Sequence, residues 1–271
     1  MSEVDTRELA FLRDLYVETE WTQRFAALFD KYFDYDKKDG KILYVNAGTG
    51  NHVFSIREKL DEKVQIHAVC ENEQTLRIAQ SKASVLKANV HFTTQLNQNE
   101  RFDAVFADAS FVHPDELQSF VEKIAEKAEP GAQVCFFTVT SGSFGEIFSF
   151  LWEVLFNEGL GESGKEAEKL ITSFLTVSEV KEIAKKAGLA SVKEHRSNEI
   201  FEYATAKEMV NSVLISRFLF PEWLKFLSDE QKQGVIQMLT KIIDEEYRNM
   251  SFRFSVKATL IKGKKARNSI A

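Results

Sequence analysis

The sequence is short of several things, and each shortage removes a class of protein. Only two cysteines, Cys70 and Cys135, occur in 271 residues, and both sit inside apolar runs that read as strands. Two thiols so placed argue against a disulfide scaffold and a metal pair, and read as buried free thiols of a reducing compartment. No uninterrupted apolar stretch is long enough to span a bilayer, and the N-terminal residues are acidic and lack the apolar core of a secretory signal. The cytoplasm is therefore the expected compartment. Positive charge is scarce as well: 35 Lys and Arg stand against 41 Asp and Glu, a formal net charge of −6. That balance leaves no basic footprint for nucleic acid or an anionic membrane surface. The densest basic run, Lys262, Lys264, Lys265 and Arg267, reads as a solvated end rather than a binding arm. No repeat and no low-complexity stretch interrupts the chain.

What is present is an ordinary globular composition with a strong alternation of periods. A hydrophobic share of 44% over this length suffices for one large core or two small ones. Leu9, Leu12, Leu15, Tyr16, Phe25, Leu28, Phe29 and Phe33 fall at helical spacing and predict one or two amphipathic helices over residues 7–33. The charged segment from Tyr35 to Gly40 reads as a linker. Short apolar strands are then expected at 41–45, 64–70, 90–93 and 104–107, with helices after the first and from Arg77 after the second. Pro114 fits the first position of a helix whose face is Leu117, Phe120, Val121, Ile124, Ala125 and Ala128; Pro130-Gly131 should stop it before a fifth strand over 133–140.

The second half keeps this rhythm with longer helical pieces. Phe144, Ile147, Phe148, Leu151 and Leu155 are spaced helically, and Thr176 with Glu179 forms a capping box before a helix that Gly188 ends. A sixth strand is expected at 191–194, helices over 206–218 and 229–247, and a last strand over 252–261, where Phe252, Phe254, Val256 and Ala258 alternate with polar residues. Strands alternating with helices make this an α/β chain with a mainly parallel, doubly wound sheet. The aromatic groups Phe144, Phe148, Trp152 and Phe156, and Phe218, Phe220 and Trp223, either pack inserted helices or cover an apolar ligand; Tyr16 and Trp21 carry the same two readings.

The segment that carries chemistry is Leu43-Tyr44-Val45-Asn46-Ala47-Gly48-Thr49-Gly50, a glycine-rich turn between the first strand and the first helix of the alternating part. Such a turn lets a ligand touch backbone beside unpaired helix N–H groups. Glu71 ends the second strand about twenty residues on, where a carboxylate can meet the two hydroxyls of an adenosine ribose. A dinucleotide site asks for a small residue three positions after Gly50, and Val53 stands there instead, which argues against a nicotinamide cofactor.

With these residues the order of elements over 38–262 resembles the class I S-adenosylmethionine-dependent methyltransferases. The resemblance implies a seven-stranded, mainly parallel sheet whose antiparallel last strand lies between the fifth and sixth. It implies S-adenosyl-L-methionine as cofactor. Asn46, Gly48 and Gly50 would cradle its methionine end, Glu71 its ribose, and Asn72, Gln95 and Leu96 its adenine. Asp108, in Phe102-Asp103-Ala104-Val105-Phe106-Ala107-Asp108, would border the methyl, or else cap a loop. Tyr44 stands where the family has an acid, and Asn46 where it has a first glycine; Asn best tolerates positive φ. His113 is either a general base at the mouth of the site or an N-cap. No metal site is expected. A helical cap from residues 1–37, 141–171 and 205–247 around a methyltransferase-like domain over 38–271 implies a small-molecule acceptor. The rival reading is a non-catalytic protein that keeps the fold and binds a ligand or partner.

Overall fold

The computed structural model describes residues 3–157, 161–248 and 250–267. Its N-terminal helices are α1 (Glu3–Leu12), a π-helical segment (Arg13–Thr22) and α2 (Gln23–Lys31). The alternating part follows with β1 (Gly40–Val45), α3 (Asn51–Arg57), β2 (Val64–Val69), α4 (Glu73–Leu86), β3 (Val90–Thr93) and β4 (Phe102–Asp108). A single 3₁₀ turn (Pro114–Glu116) leads into α5 (Leu117–Glu126) and β5 (Ala128–Thr140). The remainder is α6 (Gly145–Asn157), α7 (Gly161–Ser173), α8 (Val177–Lys186), β6 (Leu189–Tyr203), α9 (Ala206–Asn211), a π-helical turn (Leu214–Leu219), α10 (Phe220–Trp223), α11 (Asp229–Tyr247) and β7 (Phe252–Lys265).

The strands form one sheet in the order β3-β2-β1-β4-β5-β7-β6. β1 pairs in parallel with β2 and β4, β2 with β3, and β4 with β5. β7 enters antiparallel between β5 and β6, the position the resemblance implies. Ile42, Leu43, Val105, Phe106, Val134, Phe136 and Phe137 are all buried, the near-continuous apolar run of parallel strands covered on both faces. In β7 the alternation holds through Ala258; Thr259, Leu260 and Ile261 are then buried in succession, so the strand's second half is covered on both sides.

Several boundaries differ from the sequence reading, each for a local reason. The helix expected from Arg77 begins at Glu73, because Asn72 caps it reciprocally with Thr75. Pro130-Gly131 does not precede the fifth strand but lies within β5. Two residues of β4, Phe102 and Ala104, face Ala128 and Gln133 across a bulge, where a missing N–H costs no ladder bond and Gly131 takes φ 86°. α7 falls within the helical insertion expected over 141–171, while β6 runs well beyond the expected 191–194; Glu158, Gly159 and Leu160 lie outside the described residues.

The chain gathers into two compact units. One holds the chain up to Thr138, Val177–Arg196 and the segment from Ala258; the other holds Val139–Thr176 and Ser197–Lys257. Within the second unit, Phe144 and Phe148 each meet Trp223 edge-on at 4.8 Å, so these aromatics pack helices. Trp152 and Phe156 instead stack on each other at 5.7 Å and stay largely exposed. Both cysteines are buried free thiols. No helix among the described residues is long and apolar enough to cross a membrane.

Candidate functional site

The site is built where β1, β2 and β4 end. After Val45 the chain turns through Asn46 at φ 57°, Gly48 at φ 56° and Gly50 at φ 90°. Asn46 meets the left-handed requirement without glycine, and its Nδ2 donates to the carbonyl of Asp108 at 2.9 Å, tying the turn to the end of β4. Gly50 caps α3, and a Cβ there would lie 2.9 Å from the Phe92 ring. Gly48 faces the other way. Its Cβ would lie 2.7 Å from Glu18 Oε1 and 3.2 Å from Arg13 Nε, side chains of the N-terminal π-helical segment.

That segment fills the cradle. Arg13 Nη2 lies 2.9 Å from Glu71 Oε1, and the Gly48 N–H donates to Glu71 Oε2 at 3.1 Å. Glu18 is 2% exposed, with Oε1 3.7 Å from Arg13 Nε and no hydrogen-bond partner. Thr49 and Lys82 both bond Asp14, and the Trp21 indole donates to Ser110 Oγ at 2.9 Å. Ser110 in turn donates its hydroxyl and its N–H to Asp108 Oδ1 at 2.6 and 2.8 Å. Asp108 thus caps its own loop, and burial raises its carboxyl against the pull of Arg13.

The remaining predicted residues are spread around this centre. Asn72 Oδ1 accepts from the N–H groups of Gln74 and Thr75 at 3.0 Å, which occupies it as the cap of α4. Gln95 and Leu96 lie on the loop after β3, with Gln95 exposed and its N–H on Thr93 Oγ1. His113 Nδ1 accepts from the Asp115 N–H at 3.3 Å, so the ring caps the 3₁₀ turn, half exposed. Tyr44 is buried, and its hydroxyl lies 2.8 Å from His52 Nδ1; burial pushes its pKa well above the ordinary value. It therefore supplies no anion where the family has an acid.

Sequence reasoning missed Arg13, Asp14 and Glu18. Five residues apart, Arg13 and Glu18 stand about 140° around an ordinary α-helix. The wider i→i+5 winding of a π-helix brings that spacing back onto one face, and such windings recur at functional sites. Nothing in the apolar pattern of residues 7–33 announces the change of winding.

Burial raises Glu18 to about 7 from an ordinary 4.5, with Asp108 and Glu71 adding to the rise and Arg13 opposing it. A carboxyl raised on folding stabilises the fold fully below its unfolded value and loses that contribution as pH climbs through the folded one. Glu18→Gln should therefore stabilise the protein at pH 8, by about 2–3 kcal/mol, and leave it nearly unchanged at pH 4.5. Denaturant unfolding at the two pH values reads this directly. Equal stabilisation at both would remove the charge from the account.

No protein-family model matches the chain, and no curated protein is similar to it in sequence. Solved structures are similar in fold. The YcgJ protein of Bacillus subtilis shares 14% identity with a TM-score of 0.56, over 91% of this chain and 100% of its own. A candidate methyltransferase of Bacillus halodurans C-125 shares 16% with a TM-score of 0.55, over 90% and 99%. Phosphoethanolamine N-methyltransferase 2 of Haemonchus contortus, solved with S-adenosyl-L-methionine, shares 16% with a TM-score of 0.50, over 91% of this chain and 53% of its own. At such identities the likeness is one of fold: the chain is built on the Rossmann-like sheet of the class I S-adenosylmethionine-dependent methyltransferases.

Proposed function

We propose that the protein is an S-adenosylmethionine-dependent methyltransferase of the cytoplasm acting on a small-molecule acceptor. The observation that carries this reading is the charge of the cradle. Glu18, Glu71 and Asp108 converge on the glycine turn, and the Arg13 guanidinium, with Lys82 on Asp14 beside it, answers them. The cofactor is itself a cationic nucleoside, so it suits the same acids once Arg13 withdraws from Glu71. Asn46, Gly48 and Gly50 would then offer backbone to the methionine end, Glu71 would take the ribose hydroxyls, and Asn72, Gln95 and Leu96 would lie toward the adenine. Asp108 would border the methyl. The bound cofactor supplies an electrophilic methyl on sulfur, and the protein's part is to orient the acceptor and exclude water. His113 is the candidate to take the acceptor's proton, after releasing the Asp115 N–H. The acidic net charge and the helical segments 141–171 and 205–247 support a small acceptor over a nucleic acid.

The filled cradle also favours a second reading, a non-catalytic protein whose own arginine replaces the cofactor. Calorimetry with S-adenosylmethionine separates the two. The wild type should bind, Arg13→Ala should bind more tightly, and Glu71→Ala should bind over 100-fold more weakly. Two charge-assisted hydrogen bonds, each worth about 1.5–3 kcal/mol, would be gone. Absence of binding in both the wild type and Arg13→Ala would establish the non-catalytic reading. Unchanged affinity in Glu71→Ala would remove Glu71 from the ribose.

A further inference from the structure

A cleft of about 1110 Å³ lies wholly within the first compact unit, at the end of the sheet opposite the cradle. The cradle forms where β1, β2 and β4 end. This cleft is lined instead by Gln133, which pairs with Ala104 near the start of β4, and by residues near the start of β6. Doubly wound sheets take their ligands outside the carboxyl ends of the strands, so the cleft is no part of the site proposed above. The basic run that reads from the sequence as a solvated end is built into it. Lys262 Nζ donates to the Tyr32 carbonyl at 2.5 Å and lies 2.7 Å from Asp34 Oδ1, with its side chain only 15% exposed. Gln133 donates to the same Asp34 oxygen at 2.9 Å, and the Tyr32 ring stacks on His195 at 3.6 Å.

The fold gathers positive charge here from distant parts of the chain. Side chains alternate along a strand, so Lys193 and His195 share one face of β6, as Lys262 and Lys264 share one face of β7, its neighbour in the sheet. Lys31 comes from the end of α2, with Nζ 5.5 Å from the Tyr32 ring centre, and Lys59 from the turn after α3. Two of these five lysines are answered, Lys262 by Asp34 and Lys59 by Asp30. Lys31, Lys193 and Lys264 meet one further lining carboxylate, Asp36, and three cations against one anion leave two positive charges in excess. Neighbouring groups feel this field. Burial first, then the charges of Lys262 and Lys193, hold His195 below its ordinary pKa, with Glu194 and Asp34 opposing. Glu194 is itself taken by Lys181 at 2.6 Å. Against burial, Lys262, Gln133 and Lys193 hold the Asp34 carboxyl below its ordinary value. Like charges gathered in a concavity repel one another and draw an anion into it, here on a chain whose net charge is −6.

The side chains select the anion. No arginine lines the cleft among the described residues, so it lacks the planar forks that clasp a carboxylate; ammonium groups are point charges and suit a tetrahedral anion. Two excess charges match a phosphate monoester, which carries about −1.5 to −2 at neutral pH. Tyr32, Phe33 and Tyr35 supply an aromatic wall for the organic group of such an ester. We propose that this cleft binds a small organic phosphate monoester, its phosphate held by Lys31, Lys193 and Lys264 and its organic group lying against Tyr32 and Tyr35. The site stands apart from cofactor binding and holds whether or not the chain transfers methyl groups.

The test is titration calorimetry of the full chain with phenyl phosphate, inorganic phosphate, phenyl sulfate and phenylmalonate near neutral pH. Phenyl phosphate should bind, about tenfold more tightly than inorganic phosphate, which lacks the ring, or phenyl sulfate, which carries a single charge. Phenylmalonate has the ring and two charges but only carboxylates, and should bind about fivefold more weakly. Lys193→Gln and Lys264→Gln should each weaken phenyl phosphate about tenfold, whereas Lys264→Arg, which keeps the charge, should hold it within about threefold. Both lysines are exposed, so melting without ligand should not fall in any of these variants. No heat from phenyl phosphate, or undiminished affinity in both glutamine variants, would overturn the inference. Inorganic phosphate binding as tightly as phenyl phosphate would remove the organic ester, and phenylmalonate doing so would remove the phosphate.

Discussion

Valine at position 48 should abolish S-adenosylmethionine binding and cost the fold about 2–4 kcal/mol. Two effects add at this residue. Gly48 sits at φ 56°, where a β-branched side chain is strained whatever space surrounds it. Its Cβ would also lie 2.7 Å from Glu18 Oε1, a carboxylate that cannot retreat into solvent because it is 2% exposed. A turn glycine facing open water would lose only ligand contact; this one also carries the packing of the π-helical segment. Binding and stability should therefore fall together, and calorimetric melting beside cofactor titration measures both. A Gly48→Val protein that melts like the wild type would show that Glu18 does not rest on the turn.

Trp21→Ala should be the most destabilising single change in the N-terminal segment, at about 3–5 kcal/mol. The indole is fully buried, lies 5.0 Å from the Phe25 ring and 5.2 Å from that of Phe111, and donates to Ser110. Truncation leaves a large cavity and takes one hydrogen bond from the loop that Asp108 caps. At about 2–4 °C per kcal/mol for a chain of this size, melting should drop by roughly 10 °C. Trp152→Ala supplies the contrast: that ring is 46% exposed, and its loss should stay within about 0.5 kcal/mol. Melting curves within two degrees of each other for the two variants would contradict the docking of residues 13–22 described above.

The sheet was legible because its signals are local. Apolar runs marked β1 to β4 to within one or two residues, since each run needs only its own period to be read. The alternation of Phe252, Phe254, Val256 and Ala258 announced a strand for the same reason, and all four are buried. Local reading failed where two signals compete. Pro130-Gly131 looks like a stop, yet the bulge opposite Phe102 and Ala104 absorbs it within β5.

The residues of the site divide along the same line. The positive-φ turn at Asn46, Gly48 and Gly50, the carboxylate at the end of β2 and the loop-capping carboxylate at the end of β4 follow from the sequence alone, because each depends on its neighbours in the chain. What answers those groups does not. Arg13 reaches Glu71 and the Trp21 indole reaches Ser110 only because a π-helical winding turns their faces onto the sheet from far along the chain. The edge contact of Phe29 with His52 at 5.0 Å and the approach of Asp30 to the same ring depend likewise on α2 meeting α3 from far along the chain. Periodicity determines which face of an element is apolar; only the close packing of elements decides which charged groups meet across them.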